Sequence, residues 1–307
     1  MTAKNEMKFY DPQIDIKKAL VDSRLQYIPD TNIPLPSEVE ISESGTCNRK
    51  CSFCPRSDPS YEDKTEFITD TLHKKLCDEL KELNYSGTIR YSGFNEPLLD
   101  KNIFNLINYA KKVNPKANIE MVTNGDVLNK DRLIKLYESG LDRLQISVYD
   151  GEKEYKMFEK LGKELNIDKN KYVLRARYLP EEQDFGITLS NRAGMMENAE
   201  HKIKPLKNKL EKKCYYPSYT FFMDYNGDVL MCAHDWGKKS ILGNLNTQSF
   251  LEIWLSEKSK KNRDLLNSAH RNFKPCNICD VNGDLIGKKH SDAWVKIKDL
   301  NLRNVKK

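Results

Sequence analysis

"SGTCNRKCSFCPRSDP", residues 44–59, holds Cys47, Cys51 and Cys54 in the spacing C-x3-C-x2-C. A structural zinc takes four protein ligands, and a saturated iron–sulfur cubane takes four thiolates. Three thiols with no fourth nearby hold a metal group on three corners and leave one corner open. An open corner is a place for a substrate or cofactor. The competing reading is a three-cysteine zinc loop that borrows a distant ligand.

The loop follows a β-rich run, "SEVEIS" (37–42), and similar runs recur downstream: "TIRYSG", "NIEMVTNG", "RLQISVYD", "KYVLRARYL" and "FGITLSN". Helical patterns lie between the first of them: "TDTLHKKLCDELKELN", "NIFNLINYAKKVN" and "KDRLIKLYESG". In the second, Ile103, Phe104, Ile107 and Ala110 share roughly one face. Strand then helix, repeated, predicts parallel strands with right-handed crossovers. The expected fold is α/β, a partial (β/α)6 barrel. Chemistry in such barrels gathers where strands end. The cysteine loop, "SGFNEP", "TNGD" and "SVYDG" each stand at a strand end, so they converge on one mouth.

After residue 200 the texture changes. "HKIKPLKNKLEKK" is a polar connector. "SYTFFMDYNGDVLMCAHD" reads as a β-hairpin turning at Asn226-Gly227. "SFLEIWLSEKSKKNRDLLNS" reads as helix, and "KPCNICDVNG" as a metal knuckle. The expected division is an N-terminal extension (1–35), a barrel (36–200), a small metal-dependent domain (201–290) and a tail (291–307).

The chain has 307 residues, a net charge of +6 and 31% charged residues. No apolar run approaches the length of a membrane span, and the first residues lack a secretory apolar stretch. A cytoplasmic, membrane-free protein is expected. The lysines are spread rather than striped with aromatics, so nucleic acid is not an expected partner. Eight cysteines in such a compartment point to metal or redox chemistry rather than disulfides. Cys214, Cys232, Cys276 and Cys279 form a second group, a set of four that suits either a cubane or a zinc staple. Cys77, within a helical pattern, reads as a buried small hydrophobe.

The C-x3-C-x2-C loop, with aromatic Phe53 before the last cysteine, resembles the signature of the radical S-adenosylmethionine (radical SAM) superfamily. That resemblance implies a [4Fe–4S] cluster on three cysteines with SAM on its open iron. It also implies reductive cleavage of SAM to a 5′-deoxyadenosyl radical, which takes a hydrogen atom from substrate. Gly93, Asn95 and Glu96 of "SGFNEP" resemble the segment that binds the methionine amino group, with Asn95 departing from the usual glycine. Thr123 and Asn124, with Gly125, resemble a strand-end ribose contact. Ser147 stands where a polar residue meets the ribose or carboxylate, and Arg175 or Arg177 could pair with that carboxylate. Strand alternation puts the two arginines on one face.

"YNGDVLMC", "GNL", "SFLEIW" and "PCNIC", in that order, resemble the SPASM and shorter "twitch" extensions of radical SAM enzymes. Four cysteines imply the twitch form, with one auxiliary [4Fe–4S] cluster. The spacing is similar to that of twitch dehydrogenases that oxidise an aminocyclitol alcohol to a ketone. The resemblance thus implies a small polar substrate, a sugar, nucleotide-sugar or cyclitol, oxidised with the auxiliary cluster as electron acceptor. It implies flavodoxin or ferredoxin as electron donor. Radical epimerisation of a carbohydrate and radical modification of a peptide are the rival enzymatic readings; a zinc-binding scaffold is the non-enzymatic one. Tyr149, Arg192 and His234 are the candidate catalytic groups. Asn191 and Arg192 are candidate substrate contacts, Tyr149 and Asp150 stand at the mouth to meet substrate, and His234, Asp235 and Trp236, just after Cys232, are expected near the auxiliary cluster.

Overall fold

A computed structural model of the chain describes residues 13–59, 61–180, 189–196 and 206–305. Helix α1 (Gln13–Ser23) precedes strand β1 (Glu38–Ser42). Then α2 (Asp70–Glu82), β2 (Thr88–Tyr91), α3 (Ile103–Val113), β3 (Asn118–Thr123), α4 (Lys130–Glu138), β4 (Arg143–Val148), α5 (Glu152–Glu164) and β5 (Tyr172–Ala176) alternate. The chain continues through α6 (Tyr216–Tyr219), β6 (Thr220–Asp224), β7 (Asp228–Leu230) and β8 (Ile241–Asn244). It closes with α7 (Phe250–Trp254), α8 (Glu257–Asn267) and α9 (Lys288–Val305).

The strands form one sheet in the order β5-β4-β3-β2-β1-β6-β7-β8. From β5 through β6 all neighbours are parallel; β7 and β8 are antiparallel. Six parallel strands are therefore present, as expected, but the sixth described one is Thr220–Asp224, beside β1. Of the run "FGITLSN", residues 185–188 lie outside the described residues, and Leu189–Asn191 are not strand. The hairpin forms, with Phe222 opposite Leu230, and extends the barrel sheet. Its turn spans three residues, 225–227: Gly227 takes φ +86° and its N–H reaches Asp224 O at 2.9 Å. A left-handed residue closing such a loop favours glycine.

Alternation along the strands decides which face is which. Val39, Ile41, Ile89, Tyr91, Ile119, Met121, Leu144 and Ile146 are fully enclosed beneath the helices. Leu72, Leu76 and Leu80 of α2, Leu106 and Ile107 of α3, and Leu133 and Leu136 of α4 meet them. Each such burial contributes about 1.5–3 kcal/mol. The α3 face is Ile103, Leu106, Ile107 and Ala110; Phe104 is only half-buried, under the Lys135 ammonium at 4.5 Å. The opposite strand face is polar: Glu38, Glu40, Arg90, Glu120, Arg143 and Gln145 line the interior of the barrel. Helix α1 lies at the start of the strands, where Lys17 Nζ meets Glu38 Oε1 at 3.1 Å.

The stretch expected as one helix after the hairpin breaks into α7 and α8 at Leu255-Ser256; Ser249 and Ser256 cap the two halves. The buried Arg263 guanidinium lies between the Trp254 and Trp294 rings, at 4.0 and 4.2 Å, and docks α9. Cys77 is fully buried on α2 beside His73, as its helical position implied.

Candidate functional site

The three-cysteine loop leaves the end of β1 and is folded by its own backbone: Cys54 N–H donates to Cys51 O at 2.9 Å, and Arg49 N–H to Cys47 Sγ at 3.4 Å. Two arginines absent from the motif reading clamp it. Arg56 is buried, donates to Phe94 O and Gly45 O, pairs with Asp63, and stacks over Tyr61 at 5.2 Å. Arg49 donates to Asp126 Oδ2 at 2.7 Å and to both Asp150 oxygens at 2.9 and 2.8 Å. It so ties the loop to the ends of β3 and β4. Asp150 is therefore a partner of Arg49, on the loop's outer side.

One cleft brings together Cys47, Cys51, Cys54, Phe53, Gly93, Asn95, Glu96, Thr123, Asn124, Ser147, Tyr149 and Arg192. Gly93 has φ +122°, and a Cβ there would sit 3.0 Å from the Phe222 ring, so only glycine fits without adjustment. Glu96 is buried and holds the end of β3. Its carboxylate accepts from Thr123 Oγ1, from Asn124 N–H at 2.7 Å and from Leu98 N–H at 3.0 Å. Burial pushes this carboxyl up to about 7, against the pull of those donors. Asn95 lines the cleft, yet its Nδ2 donates back to Glu43 and, at 3.3 Å, to Ser44 Oγ. Burial pushes Glu43 up to about 8. The Phe53 and Tyr149 rings face each other at 5.5 Å. Burial lifts the Tyr149 phenol to about 12.

A second cavity of about 360 Å³, the barrel interior, shares Ser92, Gly93, Val122, Arg192 and Trp236 with the cleft. Arg175 and His234 line this cavity rather than the cleft. Arg175 stands opposite Ser147, whereas Arg177 falls in the turn after β5, so the two arginines do not share a strand face. Burial first, then Arg192, lowers His234 to about 3, and its Nε2 lies 3.4 Å from Tyr216 Oη. Trp236 packs on Phe94 at 4.5 Å. Asp235 accepts from Lys239 and Ser240 N–H at 2.9 and 2.7 Å and is fully buried, a turn-holding role.

Cys214, Cys232, Cys276 and Cys279 meet beside the loop at 191–194, whose Ala193 backbone hydrogen-bonds the Cys279 thiol. Burial raises Cys232 first, and then Cys276, Cys279 and Cys214 raise it further, as close thiolates must. Arg271 joins the segments that carry them, donating to Lys212 O at 2.9 Å and to Lys213 O and Val281 O at 3.2 Å. A Cβ at Gly283 would lie 2.2 Å from Cys214 Sγ, so that approach requires glycine. Asn191, expected as a substrate contact, is instead a latch. It accepts from Gly194 N–H, and it donates to Asp280 through its N–H and to Ile278 O through Nδ2, at 2.6 Å. That latch sets Arg192 (φ +46°) at the junction of the two cavities.

Donor spacing tests which group fits. Sulfurs around one tetrahedral zinc stand about 3.8 Å apart, from Zn–S of about 2.3 Å. Among the described residues, the one trio with donor atoms all within 4.8 Å of one another is Asp126, Asp150 and Glu154, already bridged by Arg49. Neither cysteine set is that tight. Three and four thiolates are the ligand counts of an open-cornered and a saturated cubane.

Residues 41–176 match the radical SAM superfamily model, and residues 214–280 match the SPASM model, an iron–sulfur cluster-binding domain. The chain is 31% identical over 249 residues to the S-adenosyl-L-methionine-dependent 2-deoxy-scyllo-inosamine dehydrogenase of Niallia circulans, covering 80% of this chain and 94% of that protein. The GTP 3′,8-cyclase of Aquifex aeolicus is 31% identical over 113 residues, 36% of this chain and 34% of that protein. The crystal structure of BtrN in complex with AdoMet and 2-DOIA superposes with a TM-score of 0.68 at 27% identity, covering 81% of this chain and 95% of BtrN. The chain belongs to the radical SAM superfamily and is an enzyme with a SPASM-type iron–sulfur domain. Its cofactors are SAM and iron–sulfur clusters. No helix among the described residues is long and apolar enough to cross a membrane.

Proposed function

We propose that this enzyme oxidises an alcohol of a cyclitol or sugar to the ketone. The observation that carries the reading is the shared wall. Arg192 and Trp236 border both the SAM cleft and the barrel interior, the backbone of neighbouring Ala193 hydrogen-bonds the Cys279 thiol, and Ala233, next to Cys232, lines the interior. When bound, the three-thiolate cluster with SAM supplies hydrogen-atom abstraction, and the four-thiolate cluster supplies an acceptor for the second electron.

The chain's residues supply placement. Cys47, Cys51 and Cys54 hold the first cluster, and Cys214, Cys232, Cys276 and Cys279 the second. Glu96 receives the ammonium of SAM, and Thr123, Asn124 and Ser147 its ribose. Phe53 and Tyr149 wall the cleft. Arg192 orients the reacting hydroxyl, and His234 walls the barrel interior as a neutral imidazole. A flavodoxin or ferredoxin donates electrons, drawn by the net charge of +6.

Reduced enzyme, SAM and candidate cyclitols, read by mass spectrometry, test the reading. One SAM per product, two mass units lighter than substrate, is expected. Unchanged mass with solvent deuterium at one carbon replaces oxidation with epimerisation, and a modified peptide overturns both.

A further inference from the structure

The surface over the four-thiol set is cationic. Lys213 immediately precedes Cys214, which is half-buried, and the largely exposed stretch 207–213 holds four lysines against one glutamate. Those seven residues carry half of the net charge of +6. Buried Arg271 fixes their backbone, donating to Lys212 O at 2.9 Å and to Lys213 O at 3.2 Å. Burial raises Cys214, Cys276 and Cys279, and the charge of Arg271 opposes it at all three, so one cation stands under both the lysines and the thiols. On α5 the exposed lysines are neutralised: Lys156, Lys160 and Lys163 pair with Glu152, Glu164 and Glu159. Over the thiols they are not. Lys209 reaches Asn272, and Lys212 reaches Asn282 at 3.2 Å, both neutral amides. Among the described residues no carboxylate pairs with Lys209, Lys212, Lys213 or Lys274, the last exposed two residues before Cys276.

The three-cysteine loop presents a different surface. Around Arg49 on its outer side stand Asp126, Asp150 and Glu154, their carboxylates within 4.8 Å of one another. An acidic protein that approaches the enzyme is therefore steered to the lysines and not to that trio. Electron-carrier encounters are small, under about 1,200 Å², so charge can define them without a large apolar patch. The proposed oxidation gives such an encounter a purpose. SAM cleavage takes one electron in, and ketone formation sends one electron to the four-thiolate cluster, which must be emptied before the next turnover.

We infer that the face formed by Lys209, Lys212 and Lys213 docks an acidic one-electron carrier protein, of the flavodoxin or ferredoxin class, which takes the electron out of the four-thiolate cluster. This deepens the proposed oxidation and rests on that reading for the electron. One electron moves and no atom: the cluster is oxidised by one electron, and the oxidised form of the carrier is reduced by one. The carrier that supplied the electron for SAM cleavage recovers it here, so each turnover is redox-neutral for the carrier.

The test is docking, measured by calorimetry on anaerobic holoenzyme with oxidised flavodoxin and, separately, oxidised ferredoxin. Lys209→Gln, Lys212→Gln and Lys213→Gln together should weaken binding about tenfold or more and flatten its dependence on salt. Lys156→Gln, Lys160→Gln and Lys163→Gln on α5 make the same change in net charge and should weaken it less than about threefold. Equal weakening in the two triple variants overturns the inference, as does wild type that binds neither carrier. Iron content and dithionite-driven SAM cleavage, which need no carrier, should match wild type in the first variant. Carbodiimide cross-linking of wild type reads the face even if that variant fails to fold. Links to Lys209, Lys212 or Lys213 are expected, and links confined to Lys50 beside Cys51 overturn the inference. Turnover is read separately. Docking on this face without a product two mass units lighter keeps the face and refutes oxidation; a lighter product with docking elsewhere does the reverse.

Discussion

SAM should bind this enzyme more tightly as pH rises from 6 to 7, and Glu96 should be the reason. Burial lifts its carboxyl from 4.5 to about 7. An ammonium needs the carboxylate, so binding to the neutral acid must expel a proton. The ionised fraction rises from about a tenth at pH 6 to about a half at pH 7, which strengthens binding about fivefold, about 1 kcal/mol. The amine of SAM, of the α-amino type with a pKa near 7.7–8.0, stays mostly charged over that window. Folding of the ligand-free protein runs the other way. A raised carboxyl stabilises the fold below its unfolded value, and that contribution is lost as pH climbs through about 7. Calorimetry in two buffers of different ionisation enthalpy counts the released proton. Glu96→Gln should bind SAM more weakly, with a flat pH response and unchanged iron content. Wild-type affinity that is flat between pH 6 and 7, or undiminished binding by the Gln variant, refutes the assignment.

Cys276→Ala combined with Cys279→Ala should halve the iron, from about eight to about four per chain. It should keep SAM cleavage and lose the lighter product; one zinc in place of four irons in wild type would make the site a staple. Arg56→Met should lower stability by about 3 kcal/mol, because it removes a buried cation from Asp63 and two carbonyls. Denaturant titration of the apo protein reads that loss, and a value under about 1 kcal/mol would show that the cysteine loop does not depend on it. Phe222→Ala should cost about 3–5 kcal/mol and weaken SAM binding, since its ring packs on Phe94 at 4.8 Å and against Gly93. Unchanged SAM affinity would uncouple the hairpin from the cleft.

Strand ends were legible because each carries a short polar motif after an apolar run, and the cysteines because their spacing constrains what they can hold. The barrel interior was equally visible and went unread. In "EVEIS", "TIRYS" and "RLQIS" the polar residues alternate with apolar ones, and both sets are buried. An alternating pattern normally reads as one face in the core and one in water; here the second face encloses a cavity. Arg49 and Arg56 were missed because an arginine between cysteines looks like loop polarity until its partners, Asp126, Asp150 and Asp63, arrive from elsewhere in the chain. Asn191 misled for the same reason: its partners are Asp280 and Ile278, near the other end of the chain.

The hairpin joins two functions that the sequence presents as separate. Strand β6 is the sixth parallel strand of the barrel, bonded to β1 from Glu38 to Ser42. It is also the first arm of the hairpin whose second arm, β7, leads directly to Cys232. The strand before Cys47 and the strand leading to Cys232 are therefore separated by one strand of a continuous sheet. Phe222 on that strand, Phe94 near Glu96, Leu230 on β7 and Trp236 after Cys232 form one apolar cluster, against which Cys54 and Ala233, the neighbour of Cys232, pack. Packed cores transmit displacement rather than absorb it, so the shared sheet and this cluster couple the loop after β1 to the loop after β7. A substrate held in the barrel interior then lies beside the shared wall of Arg192 and Trp236. In the proposed oxidation, the three-thiol set would hold the group that abstracts hydrogen and the four-thiol set the group that accepts the electron, with Arg192 and Trp236 as the wall shared by cleft and interior.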